Sequence, residues 1–586
     1  MNTNQFFLLL LFLPFSDNTA ISGINETAPF TVGNETAPFD VVINELMVRP
    51  SPPVGLPEAE YIELFNRSEH PVNLHNWTVS VGTGSRVLPQ HILLPGSYYL
   101  ITHEKHAAEL SELGDVAGLP TFPVLAMGGQ TVVLRDDKGR VISAVRYSDK
   151  WYGSSLKASG GWSLEQIDPF NPCGGANNWR ASVSSTGGTP GATNSVRDTN
   201  PDKSPPGLVR ATSHHSGSIR LHFSEPMHPM SGWSPSDYSA EGPGKPLSVI
   251  PSGPFFQEVD LFFLHNFQED TDYNISVTGN LYDCAGNFLN TERAEARFTV
   301  PSMPDQDDIR INEILFNPYP GGVNFVELVN ISEKTFDLKH LILAGMSGGE
   351  PHPAYIIAPE GYLLFPGEYV VLTTDPETIR SHYFTPNPHS FITMERMPRM
   401  NNESGRVAIT GPGMNILDDF EYRATMHSPM LADRKGVSLE RIHYNRPTHD
   451  PSNWLSASET HGFATPGYKN SQFSELTSRS ENILNIDPKI FSPDNSGYND
   501  VVNIGYELDK PGYTGNITVF DSRGRLIRRV ARNELFGTSG VYSWDGRNDA
   551  NLQSRLGIYL ILLELFHPDG EVRKYKESVV LGGRLR

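Results

Sequence analysis

Residues 41–50 read VVINELMVRP and residues 309–318 read IRINEILFNP. Working outward, EYIELFNRSEHPVNLHNW (60–77) returns as NFVELVNISEKTFDLKHL (324–341), and LLPGSYYLITH (93–103) as LFPGEYVVLTTD (364–375). GWSLEQI (161–167) pairs with GVSLERI (436–442), NWRAS (178–182) with NWLSA (453–457), and GGTPGATNS (187–195) with FATPGYKNS (463–471). Landmarks that recur in one order over so long a span identify a duplicated domain. Within each copy, Tyr61-Ile62-Glu63-Leu64-Phe65 and Phe325-Val326-Glu327-Leu328-Val329 alternate with period two, which predicts a strand with one covered face. Val132–Leu134, the turn at 136–139 and Val141-Ile142 predict a hairpin, repeated at 407–413. Helix is scarce. One short helix is expected over 103–113, and its counterpart starts at a capping box of Thr374 and Glu377 around Pro376.

The chain of 586 residues exceeds any single core, and 52 Gly plus 46 Pro with 10% aromatics suit turn-rich β structure rather than disorder. The predicted fold class is all-β, four tandem Ig-like β-sandwich domains. Pro-rich polar segments at 198–206 and 301–308 read as linkers bracketing a small sandwich, with strands expected at 219–223, 259–264 and 273–278. A last sandwich is expected from alternation at 501–506, 515–520 and 558–566. The apolar run Phe6–Phe15 (FFLLLLFLPF) has the length of a secretory core segment, and a repeated NETAPF at 25–30 and 34–39 reads as an exposed leader. The expected organisation is therefore 1–20 signal peptide, 21–39 leader, 40–196 first repeat, 204–300 Ig-like domain, 308–472 second repeat and 482–583 terminal domain. Four sandwiches with cores of their own, separated by such spacers, predict an extended object.

Formal net charge is −21, which argues against nucleic acid as a main partner. The terminal stretch 482–586 differs, with 14 basic and 13 acidic residues, five of them Arg523, Arg525, Arg528, Arg529 and Arg532 in one cluster. Only Cys173 and Cys284 occur. They fall in different expected domains, so two unpaired thiols are predicted, since a bond needs α-carbons within about 7 Å. No apolar run reaches the ~20 residues of a spanning helix.

On the INE opening, the (Y/F)-(I/V)-E-L-x-N strand and the closing T-P-G, both repeats resemble the lamin tail domain, an Ig-like β-sandwich. That resemblance implies a binding or scaffolding module, secreted or envelope-associated in bacterial members, without a common catalytic residue. Residues 204–300 are similar to S-layer-type bacterial Ig-like domains through Phe223-Ser224-Glu225-Pro226-Met227 and Tyr282–Asn287. The terminal unit resembles the Ig-like domains of flagellar hook-cap, gliding-motility and type IX secretion proteins through Phe491–Asn495, Asn499-Asp500, Trp544-Asp545-Gly546 and Gly557-Ile558-Tyr559, with Ser496 where that family has Asp. The likeness implies an attachment or sorting role.

Gly345-Met346-Ser347-Gly348-Gly349 fits G-x-S-x-G, but Pro351 and Pro353 follow where a nucleophile elbow needs a helix. His103 and His106 lie three apart without a third ligand set by spacing. Asp494, Asn499 and Asp500 suit calcium, although Asx residues also cap turns. Glu45 with Glu63, and Glu313 with Glu327, could converge as acid and base; alternatively they line a solvent face or hydrogen-bond a loop. Eight N-x-[ST] triplets occur, Asn66-Arg67-Ser68 among them. No residue is assigned to catalysis, cofactor or metal. The expected function is a secreted or outer-cell-surface binding and scaffolding protein, not an enzyme, with an envelope glycan or protein as ligand and outer-membrane secretion or attachment machinery as a further partner. The alternatives are a structural component of an envelope secretion or gliding apparatus, and an extracellular hydrolase using the paired glutamates.

Overall fold

The computed structural model describes residues 36–269, 271–429, 431–474, 483–493 and 499–583. The expected signal peptide, most of the leader and Asp494 lie outside them. The chain divides into two units, 1–202 and 203–586. Among the described residues no helix is long and apolar enough to cross a membrane.

Unit 1 holds the first repeat. A six-stranded sheet runs in the order Trp179–Ala181, Leu164–Gln166, Val41–Met47, Tyr61–Asn66, Tyr98–His103, Val116–Leu119, and a four-stranded sheet in the order Val141–Ser148, Gly129–Arg135, Thr78–Val81, Gly84–Val87. The second repeat, in unit 2, has the same two sheets in the same order. Trp454–Ser456, Leu439–Arg441, Ile309–Leu315, Phe325–Asn330, Tyr369–Thr373 and Phe391–Thr393 form one; Ile416–Arg423, Ser404–Thr410, Ile342–Ser347 and Glu350–Ile356 form the other. The predicted duplication is thus a duplication of fold.

Between the sheets lie Ile43, Ile62, Leu64, Val79, Leu134 and Trp179 in the first copy, and Ile311, Val326, Leu328, Leu343, Ile409 and Trp454 in the second. The expectation of one covered face is corrected, because Tyr61–Asn66 and Phe325–Asn330 are buried along their whole length. Their outer faces carry a second small core: Met47, Tyr61, Leu100 and Leu110 beneath the helix Glu104–Leu110, and Leu315, Phe325, Val371 and Ile379 beneath the helix Pro376–His382. The latter helix is capped by Asp375, whose side chain accepts from Thr378 N, and not by the expected Thr374. Asp, one position nearer Pro376, presents a charged carboxylate acceptor to the first turn.

Unit 2 also contains the middle sandwich, with sheets Leu208–His215, Ser218–Phe223, Glu258–Phe262, Ser248–Ser252 and Tyr238–Ala240, Tyr273–Val277, Glu295–Phe298. The terminal sandwich pairs a three-stranded sheet, containing Val502–Glu507, with a five-stranded one centred on Thr514–Asp521 and Gly557–Phe566. The expectation of self-contained cores fails within this unit. Leu363 and Phe365 of the second repeat belong to the core of the middle sandwich, where the Arg297 guanidinium lies 3.6 Å over the Phe365 ring. Ser302, in the expected linker, donates its N–H to Thr335 O at 2.9 Å. Proline-rich composition signals the absence of a ladder, not the absence of contacts.

Both cysteines are disulfide-bonded and neither is a free thiol. This corrects the expectation of two unpaired thiols.

Candidate functional site

The duplicated acidic residues lie in register across neighbouring strands. Glu45 faces both Glu63 and Glu165; Glu313 faces both Glu327 and Glu440. All six are fully buried. Three carboxyls side by side on one face would repel one another if all were charged, so their partners decide whether the arrangement stands. A bulge falls between Ile43 and Glu45, and another between Ile311 and Glu313. Each bulge re-aims an asparagine onto the same face: Asn44 Nδ2 donates to Glu63 Oε1 at 2.8 Å, and Asn312 Nδ2 to Glu327 Oε1 at 2.7 Å.

Most of the remaining partners come from the closing T-P-G segment. Thr189 N donates to Glu45 Oε1 at 2.9 Å and Gly191 N to Glu63 Oε2 at 2.6 Å; Ser195 Oγ and Val196 N donate to Glu165 Oε2 at 2.8 and 3.1 Å. In the second copy Thr465 N donates to Glu313 Oε1 at 2.9 Å, Gly467 N to Glu327 Oε2 at 2.5 Å, and Ser471 Oγ and Gln472 N to Glu440 Oε2, each at 2.8 Å. Gly191 and Gly467 have φ of +78° and +87°, and a Cβ at Gly191 would sit 2.0 Å from Leu113 O. Glycine is therefore required where the N–H turns toward the carboxylate. Of the readings open to the paired glutamates, the structure realises the one in which they hydrogen-bond a loop. Glu165 and Glu440 complete the cluster and were missed as candidates. Their signal lies in the repeat itself, since SLE recurs unchanged inside GWSLEQI and GVSLERI.

Burial and then the neighbouring Glu165 raise Glu45 from 4.5 to about 7; burial and then Glu440 raise Glu313 to about 8. Glu63 and Glu327 are pushed well up by the same two causes, burial first and the adjacent carboxylate second.

Among the described residues the serine and the histidine pair are not assembled into a site, and Asp494 of the calcium candidate lies outside them. Ser347 ends the strand Ile342–Ser347 and a tight turn leads into the strand Glu350–Ile356, a hairpin with no helix after the serine. His103 caps the helix Glu104–Leu110 by accepting from Lys105 N at 3.2 Å, and His106 lies 3.6 Å from Glu109. Asn499 is left-handed with φ +54°, and its carbonyl accepts from Ser492 N. Asn66 is buried, donating to His70 O and Leu93 O and accepting from Ser68 N and Oγ, so its N-x-S triplet is a turn device; Asn330 repeats it.

A cleft of about 1100 Å³ opens in unit 2 between the second repeat and the terminal sandwich, a feature with no motif to announce it. Its walls include Arg423, His443, Arg446 and His449 from the repeat, and Lys510 and His567 from the terminal sandwich. The two sandwiches are joined beside it. Thr538 N donates to Ser471 O at 2.7 Å, Gln472 Nε2 to Phe536 O at 3.1 Å, and Gly512 N to Gln472 Oε1 at 3.3 Å. His427 is buried in this region, its Nδ1 2.9 Å from Ser456 Oγ, and burial lowers its pKa to about 4, so it is a neutral imidazole.

The lamin tail domain profile matches residues 34–149, within which the INE strand, Glu63 and the hairpin lie. The first repeat is a lamin tail domain. The second copy has the strand order of the first and the same carboxyl contacts. No curated protein matches the chain. Among solved structures, the N-terminal part of the bacterial S-layer protein SbsC is 18% identical over 29% of this chain and 40% of its own, with a TM-score of 0.16. PorZ, a surface component of the type IX secretion system of Porphyromonas gingivalis, is 9% identical over 89% of this chain and 74% of its own (TM-score 0.16). A DUF4876 family protein from Bacteroides thetaiotaomicron is 12% identical over 32% and 77% (TM-score 0.18). The chain thus spans less than half of the S-layer fragment, and superpositions this loose carry no weight for its activity.

Proposed function

We propose that this chain is an exported, non-catalytic binding and scaffolding protein of a bacterial cell surface, with the terminal sandwich serving attachment or export. The observation that carries the reading is a contrast between the two lamin tail copies. Residues shared by both copies are occupied in holding the fold together, since each carboxyl of the cluster is buried and engaged by the closing segment. What differs is the loop after SLE: Asp168-Pro169-Phe170-Asn171 in one copy, His443-Tyr444-Asn445-Arg446 in the other, the latter facing the cleft. Variable loops on a constant scaffold are where binding specificity resides. Oxidised cysteines suit an oxidising compartment outside the cytosol.

The purified protein is expected to turn over no ester, peptide, phosphodiester or glycoside. Turnover abolished by Glu63→Gln or Glu327→Gln would establish the hydrolase instead. In a screen against glycans, peptidoglycan fragments and envelope proteins, the ligand found should lose at least tenfold in affinity with Arg446→Ala plus His449→Ala; unchanged affinity would remove the cleft from the account. Deleting 482–586 and fractionating cells and medium should show loss of surface retention. Normal retention would reduce the terminal sandwich to a spacer.

A further inference from the structure

We propose that each lamin tail core holds one proton at mildly acidic pH, on Glu45 in the first copy and Glu313 in the second, and that in the second copy this proton latches the terminal sandwich in place. The geometry starts from one hydroxyl. Thr465 Oγ1 lies 3.2 Å from Glu313 Oε2 and 2.8 Å from Glu440 Oε1. A threonine hydroxyl has a single proton to donate, so both contacts are hydrogen bonds only when one of the carboxyls is protonated and donates to Thr465 Oγ1.

The partners show which one. Glu440 Oε2 accepts from Ser471 Oγ and Gln472 N while Oε1 takes the Thr465 proton, so Glu440 is supplied with donors as a carboxylate. Glu313 Oε1 accepts from Ser438 Oγ at 2.5 Å and Thr465 N at 2.9 Å, leaving Oε2 to carry the proton and donate it. The first copy repeats the arrangement. Thr189 Oγ1 lies 3.1 Å from Glu45 Oε2 and 3.0 Å from Glu165 Oε1; Glu165 Oε2 accepts from Ser195 Oγ and Val196 N; Glu45 Oε1 accepts from Tyr61 Oη and Thr189 N.

The groups facing the cluster cannot neutralise it. In the second copy they are Glu327 on the adjacent strand, Tyr383 after the short helix, Tyr468 in the closing segment, and Tyr369 and Tyr444 beside Glu327. Among the described residues no cation pairs with the three carboxyls: Arg441, next to Glu440, is taken by Asp418 at 3.0 Å. Glu327, with both oxygens already accepting N–H groups, has no acceptor waiting for a proton of its own. A neutral Glu313 also relieves its repulsion.

Ionising Glu313 places two facing charges on one hydroxyl and drives Thr465 from its seat. The same segment, six and seven residues on, carries Ser471 and Gln472, which hold Thr538, Phe536 and Gly512 of the terminal sandwich. The sign follows from the raised value of about 8 against an ordinary 4.5. The stabilisation is complete below about pH 4.5 and is lost as pH rises through 8.

Hydrogen exchange on the full chain at pH 6 and pH 9, corrected for intrinsic base catalysis, tests this. Peptides covering 464–473, 511–514 and 535–539 should lose protection together, at least tenfold, at pH 9. Glu313→Gln, whose amide donates to Thr465 Oγ1 without titrating, should keep it. Wild-type protection that is the same at both pH values, or a loss that persists in Glu313→Gln, would overturn the proposal. Should that variant fail to fold, proton release decides: unfolding the wild type at pH 7.5 should release about one proton, most of it from Glu313, and no release would overturn it.

Discussion

Asp418→Ala is expected to destabilise the second repeat by about 3–5 kcal/mol, the cost of leaving a buried charge without its partner. Arg441 is fully buried. Its Nε donates to Ile311 O at 2.7 Å and its Nη2 to Asp418 Oδ2 at 3.0 Å and Thr448 Oγ1 at 2.7 Å, with the guanidinium 5.0 Å from the Trp454 ring. Burial lowers Arg441 to about 10, so it stays charged at neutral pH; burial also outweighs Arg441 in lifting Asp418 above its ordinary range. The first repeat solves the same position without charge. Ser143 Oγ accepts from Ile43 N, as Asp418 does from Ile311 N, and Gln166 stands where Arg441 does. The double variant Asp418→Ser, Arg441→Gln should therefore recover most of the loss. Urea unfolding followed by hydrogen exchange of residues 439–456 measures both, and a double variant as unstable as the single one would show that the ion pair, not the shared geometry, supports this strand.

Glu440→Ala is expected to be as damaging, about 3–5 kcal/mol, because Thr465 Oγ1, Ser471 Oγ and Gln472 N lose their acceptor inside a dry site. The effect should reach the terminal sandwich, since Gln472 links Glu440 to Phe536 O and Gly512 N. Exchange of the amides at 512 and 536 should accelerate by roughly the same factor as that of 472. If only 472 responds, the closing segment is not what holds the terminal sandwich.

Much of this was legible in the sequence. The duplicated landmarks carried the fold, because strands that share a core must keep their apolar positions and turn residues together, and INE, ELxN, SLE and TPG mark the strands and the segment that clamp one another. The glutamates were legible as a motif but not as buried ones. A mid-strand Glu reads as solvent-facing unless the second small core under the short helix is known, and Leu110 or Ile379 announces that core only weakly. The docking of the terminal sandwich was not legible, because it rests largely on backbone carbonyls at Ser471, Phe473 and Phe536, on one glutamine and on the hydroxyls of Thr538 and Thr460, groups that any sequence contains.

The duplicated carboxyls clamp the closing segment in both repeats. Amide hydrogen exchange at Thr189, Gly191 and Val196 in the first repeat, and at Thr465, Gly467 and Gln472 in the second, tests it most directly at pH 6. These N–H groups donate to carboxyl oxygens and to no strand neighbour. Protection equal to that of the central strands Val41–Met47 and Ile309–Leu315, in both repeats, is the result expected. Exchange at the rate of an open loop would contradict it and leave the carboxyls free for another role.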